Sequence, residues 1–149
     1  MTETLLILHI LSAATWIGAG FYNAFLGPRF AAEGGPAAVA WIKAVGDASL
    51  KFFMPAAIFT LLTGIGLVLS DDAFGWSDLF VNIGLAVVIV GALIASLALA
   101  PATKQALAAV ESGDFPAAGA AGKRAAVWGR VISILLVGAV IVMVLKTGA

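Results

Sequence analysis

Residues 79–100 read LFVNIGLAVVIVGALIASLALA, a stretch without a single Asp, Glu, Lys or Arg. As a helix, a run of that length rises about 33 Å, enough to cross the ~30 Å hydrocarbon core of a bilayer. A strand of a membrane barrel would instead alternate apolar and polar residues over some ten positions. This uninterrupted run therefore predicts a membrane-spanning helix.

Working outward, three further stretches read the same way: 4–27, 52–70 and 125–146, with charges only towards their ends. Composition agrees. Of 149 residues, 62% are hydrophobic and 11% charged, and mean hydropathy is +1.12. A soluble domain carries roughly 25% charged residues, so lipid must replace water over most of this surface. The expected fold class is all-α: one polytopic membrane domain, 1–149, built as a four-transmembrane-helix bundle. The N-terminus lacks the basic segment of a signal peptide and stays apolar through Leu26, which favours a retained span.

Basic residues set the orientation. Seven of the eight lie in 28–51 (Arg29, Lys43, Lys51) or 101–130 (Lys104, Lys123, Arg124, Arg130), whereas the loop 71–78 holds Asp71, Asp72 and Asp78. The expectation is a multi-pass protein of the bacterial inner (plasma) membrane with both termini outside. The Ala- and Gly-rich usage fits a bacterial source. Eight bases balance eight acids and no basic run occurs, so nucleic acid is not a partner. Cysteine is absent, which excludes disulfides, thiolate metal sites and covalently attached haem.

The connections carry signals of their own. Pro36 suits the first turn of a helix after Gly34-Gly35. Over 36–51, Val39, Ile42, Val45 and Leu50 alternate with Lys43 and Asp47, beside Trp41, which predicts a short amphipathic helix at the interface. Pro101 is expected to end the third span, with a separate short helix at 105–111 and a turn at 112–116. Small-residue pairs (Ala14/Gly18, Gly20/Ala24, Gly91/Ala95) and Gly64/Gly66 predict close helix approach.

Few residues can do chemistry. His9 is the only histidine, and it sits inside the first span. On a helix it shares a stripe with Ser12, Trp16, Gly20 and Asn23, which should face the bundle interior. An imidazole at that depth needs a partner. Its ordinary fate is a hydrogen bond to a neighbouring carbonyl; the alternative is ligation. Met143 lies at matching depth in the fourth span, and imidazole with thioether suits copper, above all Cu(I). Asp71, Asp72 and Asp78 are the other donors at that end. A b-type haem needs only one axial histidine, and two such ligands would require a homodimer. Trp16 and Tyr22, with Phe21 and Phe25, could line a porphyrin. No nucleophile–base pair, phosphate loop or HExxH pattern is present, which argues against hydrolysis.

The stretch Leu8-His9-Ile10-Leu11…Trp16-Ile17-Gly18-Ala19-Gly20 resembles the first helix of the bacterial copper-resistance protein D-like membrane proteins. Leu62-Thr63-Gly64-Ile65-Gly66 and Val142-Met143-Val144-Leu145-Lys146 follow the same layout. That resemblance implies copper or metal handling, with His9 and Met143 as the metal ligands. The first helix is also similar, more weakly, to the four-helix bacterial protoporphyrinogen oxidases, through His9, Trp16, Phe21-Tyr22 and Pro28-Arg29-Phe30. There the Pro-Arg pair comes about one turn late, and the third span lacks the expected Lys. This second resemblance implies tetrapyrrole binding by His9, Trp16 and Tyr22. A third class is a non-catalytic accessory subunit of a larger membrane complex.

Overall fold

The computed structural model describes residues 2–33, 35–70 and 73–147. Among them the chain forms helices and short turns, with no strand. The elements are α1 (Thr2–Glu33), α2 (Gly35–Ala48), a π-helical turn (Ser49–Phe53) and α3 (Met54–Ser70). Then follow α4 (Leu79–Ile94), a second π-helical turn (Ala95–Leu99), α5 (Ala100–Glu111) and α6 (Phe115–Thr147).

Because each π turn continues into the next helix, the eight pieces make four rods. α1 and α6 are 32 and 33 residues long, and the jointed rods Gly35–Ser70 and Leu79–Glu111 have 36 and 33. All four are long and apolar enough to cross a membrane, so the chain is an all-α, multi-pass four-helix bundle. Rods of this length extend about 48–54 Å, well beyond a ~30 Å hydrocarbon core. The surplus gathers at the end that carries the bases, hereafter the basic end. The turn at 73–78, the first residues of α1 and the last of α6 lie at the other, acidic end.

Around the bundle, α1 packs along α3 and α6, and α4 and α5 pack along α6. At the basic end α2 closes the ring by touching both α1 and α5. α3 and α4 barely meet, which leaves that seam the loosest side of the bundle. The interior is made of small residues. Ala102, Ala106 and Val110 of α5 are buried, as are Ala118, Ala121, Ile132, Leu136 and Ala139 of α6. The bulky side chains point outward: Leu69, Leu79, Leu97 and Ile134 are each more than 70% exposed. In lipid, large apolar side chains gain nothing by burial, whereas small ones let backbones approach.

Two expectations about the connections need revision. Pro101 does not end the third span. The helix runs through it to Glu111, because a π turn precedes the proline and the Ala100 N–H bonds back to the Ala95 carbonyl. The first π turn has the same relation to Pro55, with the Met54 N–H on the Ser49 carbonyl. A proline lacks an N–H and clashes with the carbonyl four residues back; the widened turn relieves both problems. The turn expected at 112–116 is shorter. Gly113 takes φ +79°, the Asp114 carboxylate caps the Ala117 N–H at 3.0 Å, and α6 starts at Phe115.

The amphipathic segment 36–51 is helical, and Pro36 occupies its first turn. It does not stand apart from the bundle. Its Trp41 ring stacks on Phe30 at 4.7 Å and tilts against Tyr22 at 5.5 Å, both on α1. Its Lys43 pairs with Glu111 of α5 at 3.1 Å. Of the small-residue pairs, Gly20 meets Ser133 of α6, and Gly91 receives Trp16 and Ile132. Gly18 has open space above it, so the Ala14/Gly18 pair serves no contact within this chain.

Candidate functional site

His9 lies on the side of α1 that faces α3. Its Nδ1 is 3.0 Å from the carbonyl oxygen of Thr60 and 3.2 Å from Thr63 Oγ1. A carbonyl can only accept, so Nδ1 carries the hydrogen. Thr63 spends its own hydrogen on the carbonyl of Phe59, at 2.7 Å, and therefore also accepts from the ring. The result is a three-centre hydrogen bond that fixes the plane of the imidazole.

Two more side chains complete the cluster. Ser12, one turn along α1, donates to the His9 carbonyl at 3.0 Å. Thr60 Oγ1 stands 2.9 Å from Ser12 Oγ and 2.8 Å from the Ala56 carbonyl, and its one hydrogen serves either. Thr60 and Thr63 are buried. Their spacing of three puts both on one face of α3, and Gly64 beside them makes room for the ring. A Cβ on Gly64 would come within 3.1 Å of His9 Cε1.

With Nδ1 engaged, the neutral ring keeps a lone pair on Nε2. That nitrogen has no hydrogen-bond partner among the described residues. A carbonyl that holds one imidazole nitrogen and so aims the other is the usual support of a metal-binding histidine.

The other expected site residues lie elsewhere. Met143 turns its terminal methyl onto Gly84 of α4, while His9 is turned onto Gly64 of α3. Ring and thioether thus enter different helix–helix seams, and a copper site built from these two side chains of one chain is not assembled. Trp16 lies two turns further along α1 and reaches across the interior to Gly91 of α4, 3.8 Å from where a Cβ would stand. Tyr22, thirteen residues from His9 and about 20 Å along the helix, belongs to the aromatic group at the basic end. It is more than half exposed and takes no part in the His9 neighbourhood. Arg29 lies over the Phe25 ring at 4.4 Å.

Of the acids at the His9 end, Asp78 is committed to its own loop: its carboxylate accepts the Gly75 N–H at 2.8 Å. Asp71 and Asp72 fall outside the described residues. No group of three or more His, Cys, Asp or Glu that could hold a metal occurs among the described residues. Among the described residues the donor set at this end is one ring nitrogen, fewer than a bare ion needing several ligands requires.

Sequence reasoning named Thr63 and Gly64 but joined neither them nor Thr60 to His9. Depth was the available signal. His9 lies five residues into the first span from the acidic end, and Gly64 six residues from the end of the second, so antiparallel neighbours must bring them level. Comparison with known proteins adds no name to this geometry: no family model, curated protein or solved structure matches the chain.

Proposed function

We propose that this chain is a bacterial inner-membrane protein, oriented with its basic end in the cytoplasm, that offers His9 Nε2 near the outer surface as an axial ligand to b-type haem. One observation supports the reading. The Thr60 carbonyl holds the Nδ1 hydrogen and leaves the other nitrogen without a partner. Haem iron bound there would supply one-electron chemistry. The protein's own part is to orient the ring through Thr60 and Thr63 and to keep it at a fixed depth. With one histidine per chain, bis-histidine ligation would take a homodimer.

The test is an absorption spectrum of the protein purified from its native membrane, oxidised and then reduced with dithionite. A Soret band and a sharp reduced α band, both lost in His9→Ala, are expected. A featureless spectrum overturns haem. Bound copper lost in the same variant would then revive metal handling, with the remaining ligands supplied from outside the chain.

A second reading has its own support. The cluster His9–Thr60–Thr63–Ser12 ties α1 to α3, the ordinary work of polar groups in a membrane. On that reading the chain is an accessory subunit of a larger membrane complex. It predicts no chromophore, no metal, and co-purification with a defined partner.

A further inference from the structure

At the basic end a cavity of about 180 Å³ opens between α1, α2 and the first π turn. It is lined by Tyr22, Asn23, Trp41, Val45, Phe53 and the alanines Ala44 and Ala48. No charged side chain borders it, so a phosphate or ammonium headgroup would find no counter-charge. Its size is that of a single six-membered ring: an engineered apolar cavity of about 150 Å³ is known to take up benzene.

The polar member is Asn23. Its Oδ1 is sealed from solvent and has no hydrogen-bond partner among the described residues. The other end of the amide, Nδ2, likewise finds no acceptor among them. An unpaired polar group at membrane depth costs about 1–3 kcal/mol, and buried amides are ordinarily satisfied. In contrast, the hydroxyls of Ser12, Thr60, Thr63, Ser96 and Ser133 each bond a helix carbonyl.

We infer that this cavity binds the ring of a lipid-soluble quinol, with a ring hydroxyl on the Asn23 amide. A hydroxyl is the smallest group that serves either end of an amide. It accepts from Nδ2 as the side chain stands, and donates to the oxygen once the amide turns over about χ2. Trp41, Tyr22 and Phe53 supply the apolar and aromatic walls that a flat ring requires. Asn23 lies four residues from the end of the first span, where a ring carried on an alkyl chain can enter from the bilayer. This site is independent of His9, which lies about 20 Å away along α1.

The experiment uses the full chain in phosphatidylcholine nanodiscs and a ring-fluorinated, decyl-substituted benzoquinol, observed by fluorine NMR. Saturable binding to the wild type is expected. Asn23→Leu keeps the side-chain volume and removes the polar atoms; it should melt no lower than wild type and bind about tenfold more weakly, the worth of one hydrogen bond. The corresponding ring-fluorinated decylbenzene, with no ring oxygen, should lose a similar factor on the wild type and nothing further on Asn23→Leu. Ala48→Leu fills the cavity from α2 without touching the amide and should abolish binding. Absence of saturable binding to the wild type, equal affinity for quinol and decylbenzene, or unchanged affinity in either variant each overturns the proposal.

Discussion

The two halves of α1 present polar side chains to the bundle in opposite conditions. Towards the acidic end, His9 and Ser12 meet Thr60 and Thr63, and the hydrogens on His9 Nδ1 and on the three hydroxyls all have acceptors. Towards the basic end, Asn23 shares the same stripe yet its oxygen meets nothing. Helical spacing puts both sets on one face, so spacing does not separate them. The difference lies in the neighbour. α3 carries two threonines and a glycine at the right depth, whereas α2 and the first π turn offer Ala44, Val45, Ala48 and Phe53. A satisfied cluster holds helices together; an unsatisfied amide beside a cavity is free to recognise something else.

That contrast can be broken first at Gly64. Gly64→Leu puts a branched side chain where the imidazole sits, so it must drive the ring off Thr60 and part α1 from α3. A loss of about 3 kcal/mol is expected in reversible unfolding in mixed micelles. Wild-type stability in that variant would show that the seam is not as tight as described. Next comes His9→Leu, which keeps the bulk but removes the three-centre bond. Interhelical hydrogen bonds in membranes average ~0.6 kcal/mol and reach about 1.7, and the loss should fall in that range. A loss above 3 kcal/mol would mean that the ring carries more of the fold than its bonds account for. The smallest effect belongs to Asn23→Leu, which removes a polar group that has no partner. Its stability should lie within about 0.5 kcal/mol of wild type or above it. A marked loss would mean that the amide does have a partner, and the two halves of α1 would then be alike.

Much of this architecture was legible in the sequence, since four apolar runs admit little besides four helices. The run 79–100 begins with α4 and ends at the first residue of α5. What escaped was the continuity of the rods. A proline after an apolar run reads as a stop, and Pro101 does stop an ordinary α-helix. The π turn that carries the chain past it leaves no mark in composition. The amphipathic pattern of 36–51 was visible, but not that Trp41 would spend its ring on Phe30 and Tyr22 of α1. For the site, His9 stood out because it is alone. Its partners did not, because threonine in a span is ordinary and only depth matching pairs it with a residue some fifty positions away. The pairing of His9 with Met143 rested on depth, ligand softness and the resemblance, none of which gives the direction a side chain takes around its helix. Tyr22 was named for its aromatic ring, at a depth that never matched His9.

The two π turns have a consequence for how this chain tolerates insertions and deletions. Each holds one residue more than an α-helix of the same length would need, and the two sit at the same level of the bundle, just before Pro55 and Pro101. One residue deleted from Ser49–Phe53 would return that turn to α geometry with α2 still in register, whereas one deleted from α3 would rotate α2 by about 100°. Trp41 would leave Phe30, and Lys43 would leave Glu111. A deletion in α4 would turn α5 in the same way and swing Ala102 and Ala106 out of the α6 interface. The two π turns are thus the places in these rods where the loss of a residue is absorbed and not read out as a rotation of the basic end.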